Sequence, residues 1–120
     1  MNTSDTHNNR MATLLFSTVY PLYLTKIEKK GRKKEELDEV IFWLTGFDTT
    51  KIETLIQEKV NFKSFFQQAT LHPNAQMITG VICGYRIEEI TNTLTQQVRY
   101  LDKLVDELAQ GKLMEKILRK

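Results

Sequence analysis

The sequence predicts a mainly α protein, a small orthogonal bundle of five to six helices. Three observations carry that reading. Over residues 92–110, Leu94, Val98, Leu101, Val105 and Leu108 recur at alternating steps of four and three, and Leu104 widens the stripe. This is the spacing of one buried helical face. Over residues 34–45, Leu37, Val40, Ile41 and Leu44 repeat the pattern. A glycine then follows each stretch, Gly111 and Gly46, where a left-handed cap ends a helix. Short connections between short helices favour crossing rather than parallel packing.

Taken in order, residues 1–12 are read as a polar, disordered leader, ordered only if contacts impose it. Residues 13–120 form a single helical domain. In the first helix Phe16, Val19, Tyr20, Tyr23, Leu24 and Ile27 share a helical period. Pro21 is tolerated only in a first turn, so the start is expected between Ser17 and Tyr20, and Gly31 stops the helix after Lys30. The second helix, 34–45, is apolar on more than one side because Phe42 and Trp43 flank its stripe, which calls for a central place or a covering partner. The third, 50–59, opens on a Thr50–Glu53 capping box and buries Ile52, Leu55 and Ile56. The fourth, 61–69, is capped by Asn61 and turns Phe62, Phe65, Phe66 and Ala69 inward. A loop surrounds His72, Pro73 and Asn74.

Residues 77–90 read two ways. Ile78, Val81, Ile82 and Tyr85 fit a helical face, while Val81, Cys83, Tyr85 and Ile87 alternate like a strand about Gly84. A lone hairpin lacks sheet neighbours, so a helix over 74–83 is favoured, with a short β-hairpin or irregular segment as the alternative. On the helical reading Gly80 and Gly84 admit a second helix closely. After the long helix, Leu113, Met114, Ile117 and Leu118 make a last amphipathic turn or two.

Composition limits the function classes. At 120 residues, 41% of them hydrophobic and 27% charged, a core forms without disulfide or metal. A net charge of +2 gives no strong field toward nucleic acid or membrane. One cysteine and two histidines make no zinc set, and no cofactor is expected. No apolar run spans a bilayer, and the expected location is the cytoplasm. Phosphate-cradling loops, dinucleotide fingerprints and nucleophile elbows are missing from the sequence, so the balance is against an enzyme.

Several segments resemble a bacterial family. They are Val19-Tyr20-Pro21-Leu22-Tyr23, Glu39-Val40-Ile41-Phe42-Trp43-Leu44-Thr45-Gly46, Ile78-Thr79-Gly80-Val81-Ile82-Cys83-Gly84, Arg86-Ile87-Glu88-Glu89-Ile90, and the run from Arg99 to Leu108. The family is catalogued as domain of unknown function 2200. The resemblance covers nearly the whole chain after Phe16 and implies a small, mainly helical bacterial protein, with no catalytic residues to carry over. The chain departs from the family at Lys33, where threonine is usual, and at Asn92-Thr93, where Asp-Pro is usual; both positions concern helix starts.

Candidate site residues fall into three groups. Arg86, Glu88, Arg99, Tyr100 and Lys103 are candidate binding residues, the last three because they face away from or border the long helix's apolar stripe. Lys29, Lys30, Arg32 and Lys33, within the basic stretch 26–34, are candidate anion or nucleic-acid contacts. Cys83 with Arg86 and Arg99 is the candidate for a ligand or enzymatic site, although Cys83 is expected as a buried thiol. The leading expectation is a small non-catalytic interaction module, a homodimer or the ligand of another protein. It rests on the apolar surplus at Phe42, Trp43 and the C-terminal tail.

Overall fold

The computed structural model describes residues 3–120. In chain order the elements are α1 (Asp5–Thr13), α2 (Phe16–Glu28), α3 (Lys34–Thr45), α4 (Thr49–Gln57), α5 (Phe62–Gln68), β1 (Val81–Ile82), β2 (Tyr85–Arg86), α6 (Thr93–Ala109) and α7 (Met114–Ile117). Single 3-10 turns at Ala75–Met77 and Ile87–Glu89 flank the hairpin. The architecture is mainly helical as expected, with seven helices among the described residues.

The long helix α6 is the element that the others surround. α1, α2, α3, α5, α7 and the hairpin all contact it. Its stripe is buried at Val98, Leu101, Leu104, Val105 and Leu108. Asn92 caps it by accepting from the Thr95 N–H at 2.9 Å. At the other end the Lys112 N–H reaches the Glu107 carbonyl and the Gly111 N–H the Leu108 carbonyl. Gly111 sits at φ 86°, so these paired bonds form the left-handed cap that the glycine's position foretold.

Around α6, one apolar cluster joins Phe16 and Ile27 of α2, Leu37, Val40, Ile41 and Leu44 of α3, Ile52 and Leu55 of α4, Phe62 and Phe65 of α5, and Ile117 of α7. Phe16 is the aromatic hub, with rings of Tyr20, Phe62 and Phe65 at centroid distances of 5.6, 6.1 and 4.5 Å.

Three helix starts are built differently in detail. The helix α2 starts at Phe16 and carries Pro21 in its second turn. Its entry is fixed from outside, by the Phe16 N–H bonded to the Val60 carbonyl and the Phe62 N–H bonded to the Leu14 carbonyl. Asp48, not Thr50, caps α4, accepting from the Lys51 N–H at 2.8 Å. At α3, Glu36 accepts from the Lys33 N–H at 3.0 Å, which is half of a capping box. Lysine has no acceptor to return the bond, so the Lys33 departure costs this helix the other half.

The largest corrections lie at α1 and at 77–90. The leader expected to be disordered over 1–12 instead forms α1 from Asp5, with Ser4 as its cap; Met1 and Asn2 lie outside the described residues. α1 has no buried residue of its own and is ordered by contacts with α5 and α6. The favoured helix over 74–83 gives way to the hairpin alternative. Cys83 and Gly84 form a two-residue turn with φ of 52° and 82°. Both central residues in the left-handed region is the arrangement whose twist suits paired strands. The glycines therefore serve turns and not a helix–helix contact: a Cβ at Gly84 would meet open space. The hairpin's missing sheet neighbours are replaced by α6, where Gln96 donates to the Ile87 carbonyl and Lys103 to the Val81 carbonyl.

Candidate functional site

The helix α3 builds a site because its sequence is apolar on two faces. Leu37, Val40, Ile41 and Leu44 fill the core-facing stripe. Phe42 lies two residues past Val40, about 200° round the helix, and so points outward. It shares that outer face with Glu35 and Glu39, seven and three residues before it. The result is a phenylalanine with 55% of its surface exposed.

Beside it, the chain leaving α5 is tied to the end of α3. The Thr70 N–H donates to the Thr45 carbonyl and the His72 N–H to the Leu44 carbonyl, both at 3.0 Å. These bonds satisfy carbonyls that a helix C-terminus leaves unpaired. They also lay the His72 ring on Trp43, stacked at 4.2 Å with planes 18° apart. The Asn74 N–H donates to His72 Nδ1 at 2.9 Å, which fixes the ring's orientation and puts the neutral ring's proton on Nε2.

Phe42, Trp43, Leu71, His72, Pro73 and Leu118 thereby line an open, mostly apolar cleft of about 500 Å³. Phe42 and Glu39 also border a second hollow of about 370 Å³, whose other walls include Glu35, Asp38, Asp48 and Lys34. Phe42 is thus a ridge between an apolar cleft and an acidic one. Lys34, the cation of the acidic hollow, is committed to Asp38 at 2.7 Å, and Asp38 also accepts from the Tyr20 hydroxyl. Burial, and then the bond to Asp38, raise the Tyr20 phenol far above its ordinary range.

Leu118 reaches the cleft because the tail is clamped. Arg119 makes a two-pronged contact with Glu107, Nη1 to Oε1 and Nη2 to Oε2, each at 2.7 Å. Lys112 adds a third bond at 3.1 Å. Glu107 is 1% exposed. Burial pushes its carboxyl upward, but the bonds from Arg119 and Lys112 outweigh this and hold it below the usual carboxylate value.

The sequence-derived candidates are placed differently from expectation. Arg99 and Tyr100, expected outside or at the edge of the α6 stripe, are 8% and 6% exposed. Arg99 donates to Asp102 at 2.9 Å and to His7 Nε2 at 3.3 Å, and lies over the Tyr85 ring at 5.4 Å. Asp102 in turn accepts from the Tyr23 hydroxyl. Burial alone raises the Tyr100 phenol. Burial, then the charges of Arg99 and Arg10, lower His7. These groups fasten α1, α2 and β2 to α6.

Arg86 and Glu88 sit beside this network without joining it. Arg86 faces Glu88 at 3.8 Å and Glu89 at 3.6 Å, and Glu88 accepts from the Gly80 N–H. The Glu88 carboxyl is lowered first by backbone hydrogen bonds. Lys103 is spent on the Val81 carbonyl. None of these five residues lines either cleft described above. Cys83, expected to be buried, is exposed at the hairpin tip.

In the basic stretch, Arg32 is taken by Glu36 at 2.9 Å and by the Lys112 carbonyl at 2.8 Å. Lys29, Lys30 and Lys33 are exposed.

The cleft residues Leu71, His72 and Pro73 were not singled out by sequence reasoning. The signals in the sequence are Phe42-Trp43 off the α3 stripe and the apolar C-terminal tail with Leu118; the loop that completes the cleft carries no periodicity.

Among the described residues no helix is long and apolar enough to cross a membrane. A comparison with curated proteins found no match. Among solved structures, the chain is similar to one described as the crystal structure of uncharacterized protein SP1917. The two are 40% identical with a TM-score of 0.85, and the match covers 92% of this chain and 91% of that one. That likeness agrees with a family pattern matching residues 10–119, and the chain belongs to this family, described as an uncharacterized protein conserved in bacteria, domain of unknown function 2200.

Proposed function

We propose that the protein is a small interaction module without catalysis of its own, and that its contact surface is the cleft about Phe42 and Trp43. The observation that carries this is the 55% exposure of Phe42 on a helix whose core-facing stripe, Leu37, Val40, Ile41 and Leu44, is fully buried, with the half-buried Trp43 beside it. An exposed aromatic ridge beside a preformed apolar cleft is what a partner's anchor side chain fits. The clamp of Arg119 on Glu107 and the His72–Trp43 stack supply rigidity before binding, which lowers the ordering cost.

Selection of a displayed random-peptide library on the purified protein tests the reading. The expected result is a peptide family with one shared apolar anchor, lost on Phe42→Ser and kept on Leu22→Ser. Leu22 is the fitting control because it is 64% exposed elsewhere on the surface. Selection without a consensus, or equal enrichment by the Phe42→Ser protein, removes the proposal.

A further inference from the structure

Charge around the cleft says what kind of partner it takes. Glu35 and Glu39 stand on the same outer face of α3 as Phe42, and Asp48 stands across the adjoining hollow. Among the described residues neither Glu35 nor Glu39 has an ion-pair or side-chain hydrogen-bond partner, and both are exposed. The Asp48 carboxylate accepts the backbone N–H of Lys51 at 2.8 Å and is exposed to solvent. Lys34, the cation lining the hollow, is paired with Asp38. Glu39, on the α3 side, is the one charged residue lining the apolar cleft itself. This acidic rim lies on a protein whose overall charge is +2.

Resting on the reading of the cleft as a docking surface, we infer that its occupant is a cationic amphipathic peptide segment of another protein. An aliphatic or aromatic side chain enters between Phe42, Trp43 and Leu71, and lysine or arginine residues flanking it meet Glu35, Glu39 and Asp48. Apolar burial supplies the attachment, and the three carboxylates select against neutral and acidic segments. The same carboxylates disfavour a second copy of the chain placed symmetrically on this face, because a two-fold axis beside Phe42 brings Glu39 toward its own copy.

Trp43 is the chain's single tryptophan and lies in the cleft, so its emission reports occupancy directly. The experiment titrates the full chain with a short leucine–lysine peptide and with its leucine–glutamate counterpart. The expected result is a saturable change in Trp43 emission with the lysine peptide, weakened by added salt and abolished by Phe42→Ser. The double variant Glu35→Lys with Glu39→Lys should weaken the lysine peptide about tenfold and improve the glutamate peptide. Both variants change exposed side chains only, and an unchanged thermal unfolding curve checks that they fold.

Equal binding of both peptides, each lost on Phe42→Ser, overturns the cationic partner and leaves the docking surface standing. No response to either peptide overturns the cationic partner, and the peptide selection then decides on the docking surface by itself. A Phe42-dependent dimer in sedimentation also overturns it, because a second copy then fills the cleft.

Discussion

Two regions of the molecule contain the residues that drew attention in the sequence, and they use them in opposite ways. At the N-terminal half of α6, charged and aromatic groups from four elements are tied to one another: His7, Tyr23, Tyr85, Arg99 and Asp102. At α3, apolar groups line an open cleft on the surface. The polar residues that resemble a recognition set are spent on holding the fold. The apolar residue that resembles core is the exposed one. Chemical character alone does not separate a site from a brace; what separates them is whether the groups are already satisfied.

The comparison breaks most visibly at Arg99. Replacing it with leucine strands Asp102 beside the Tyr23 hydroxyl and removes the ring contact with Tyr85. A loss of about 2–3 kcal/mol is expected, below the range for a fully buried pair because Asp102 keeps some solvent contact. Denaturant unfolding measures it. If Arg99→Leu is neutral in stability, the brace reading fails and Arg99 returns as a candidate contact residue.

Next in size is Arg119→Ala. It leaves Glu107 with Lys112 as its remaining cation, at an expected cost of about 1–3 kcal/mol. It should also weaken peptide binding, because Leu118 loses its anchor at the cleft wall. The same clamp predicts acid sensitivity. The folded-state value of Glu107 is depressed, so its stabilisation is complete above the ordinary glutamate value and is lost as pH falls through the lower folded value. Glu107→Gln should flatten that part of the stability–pH curve.

His7 gives a more local effect. Its folded value is also depressed, and the bond from Arg99 requires the neutral ring. Docking of α1 is therefore complete above the ordinary histidine value and weakens as pH falls through it toward the folded value. Amide exchange in α1 should accelerate on acidification well before exchange in α6 does, and His7→Gln should remove the difference. Uniform acceleration across both helices would argue against a brace specific to α1.

Smaller still is Cys83→Asn. Asparagine tolerates the left-handed conformation that Cys83 holds at φ 52°, so a gain of about 0.5–1 kcal/mol in hairpin stability is expected. Smallest of all is Phe42→Ser, which should shift global stability by no more than about 0.5 kcal/mol while abolishing docking. A large destabilisation there would make Phe42 a core residue after all and erase the contrast between the two regions.

The helices were legible where local rules sufficed. Stripes at helical spacing placed α3 and α6 to within a residue, and Gly46 and Gly111 marked their ends. Asn61 and Asn92 capped as their side chains suggested. The alternation of residues 81–87 was legible too, but periodicity could not choose between its two readings. The choice fell to the surface of α6, which offers Gln96 and Lys103 to the hairpin's carbonyls.

The sequence by itself thus determined which residues form helices and which face of each is buried, because both follow from neighbours three and four positions away. Tertiary structure alone decided that α1 is ordered, that residues 81–86 pair as a hairpin, and that Arg99 and Tyr100 lie inside. It also decided that Phe42 stays outside. In each case the deciding partner is remote in the chain: Thr95 for Asn8, α6 for the hairpin, and His72 and Leu118 for the cleft beside Phe42. A contact between residues far apart in sequence leaves no period to read, and its free energy exists only once the chain has closed around it.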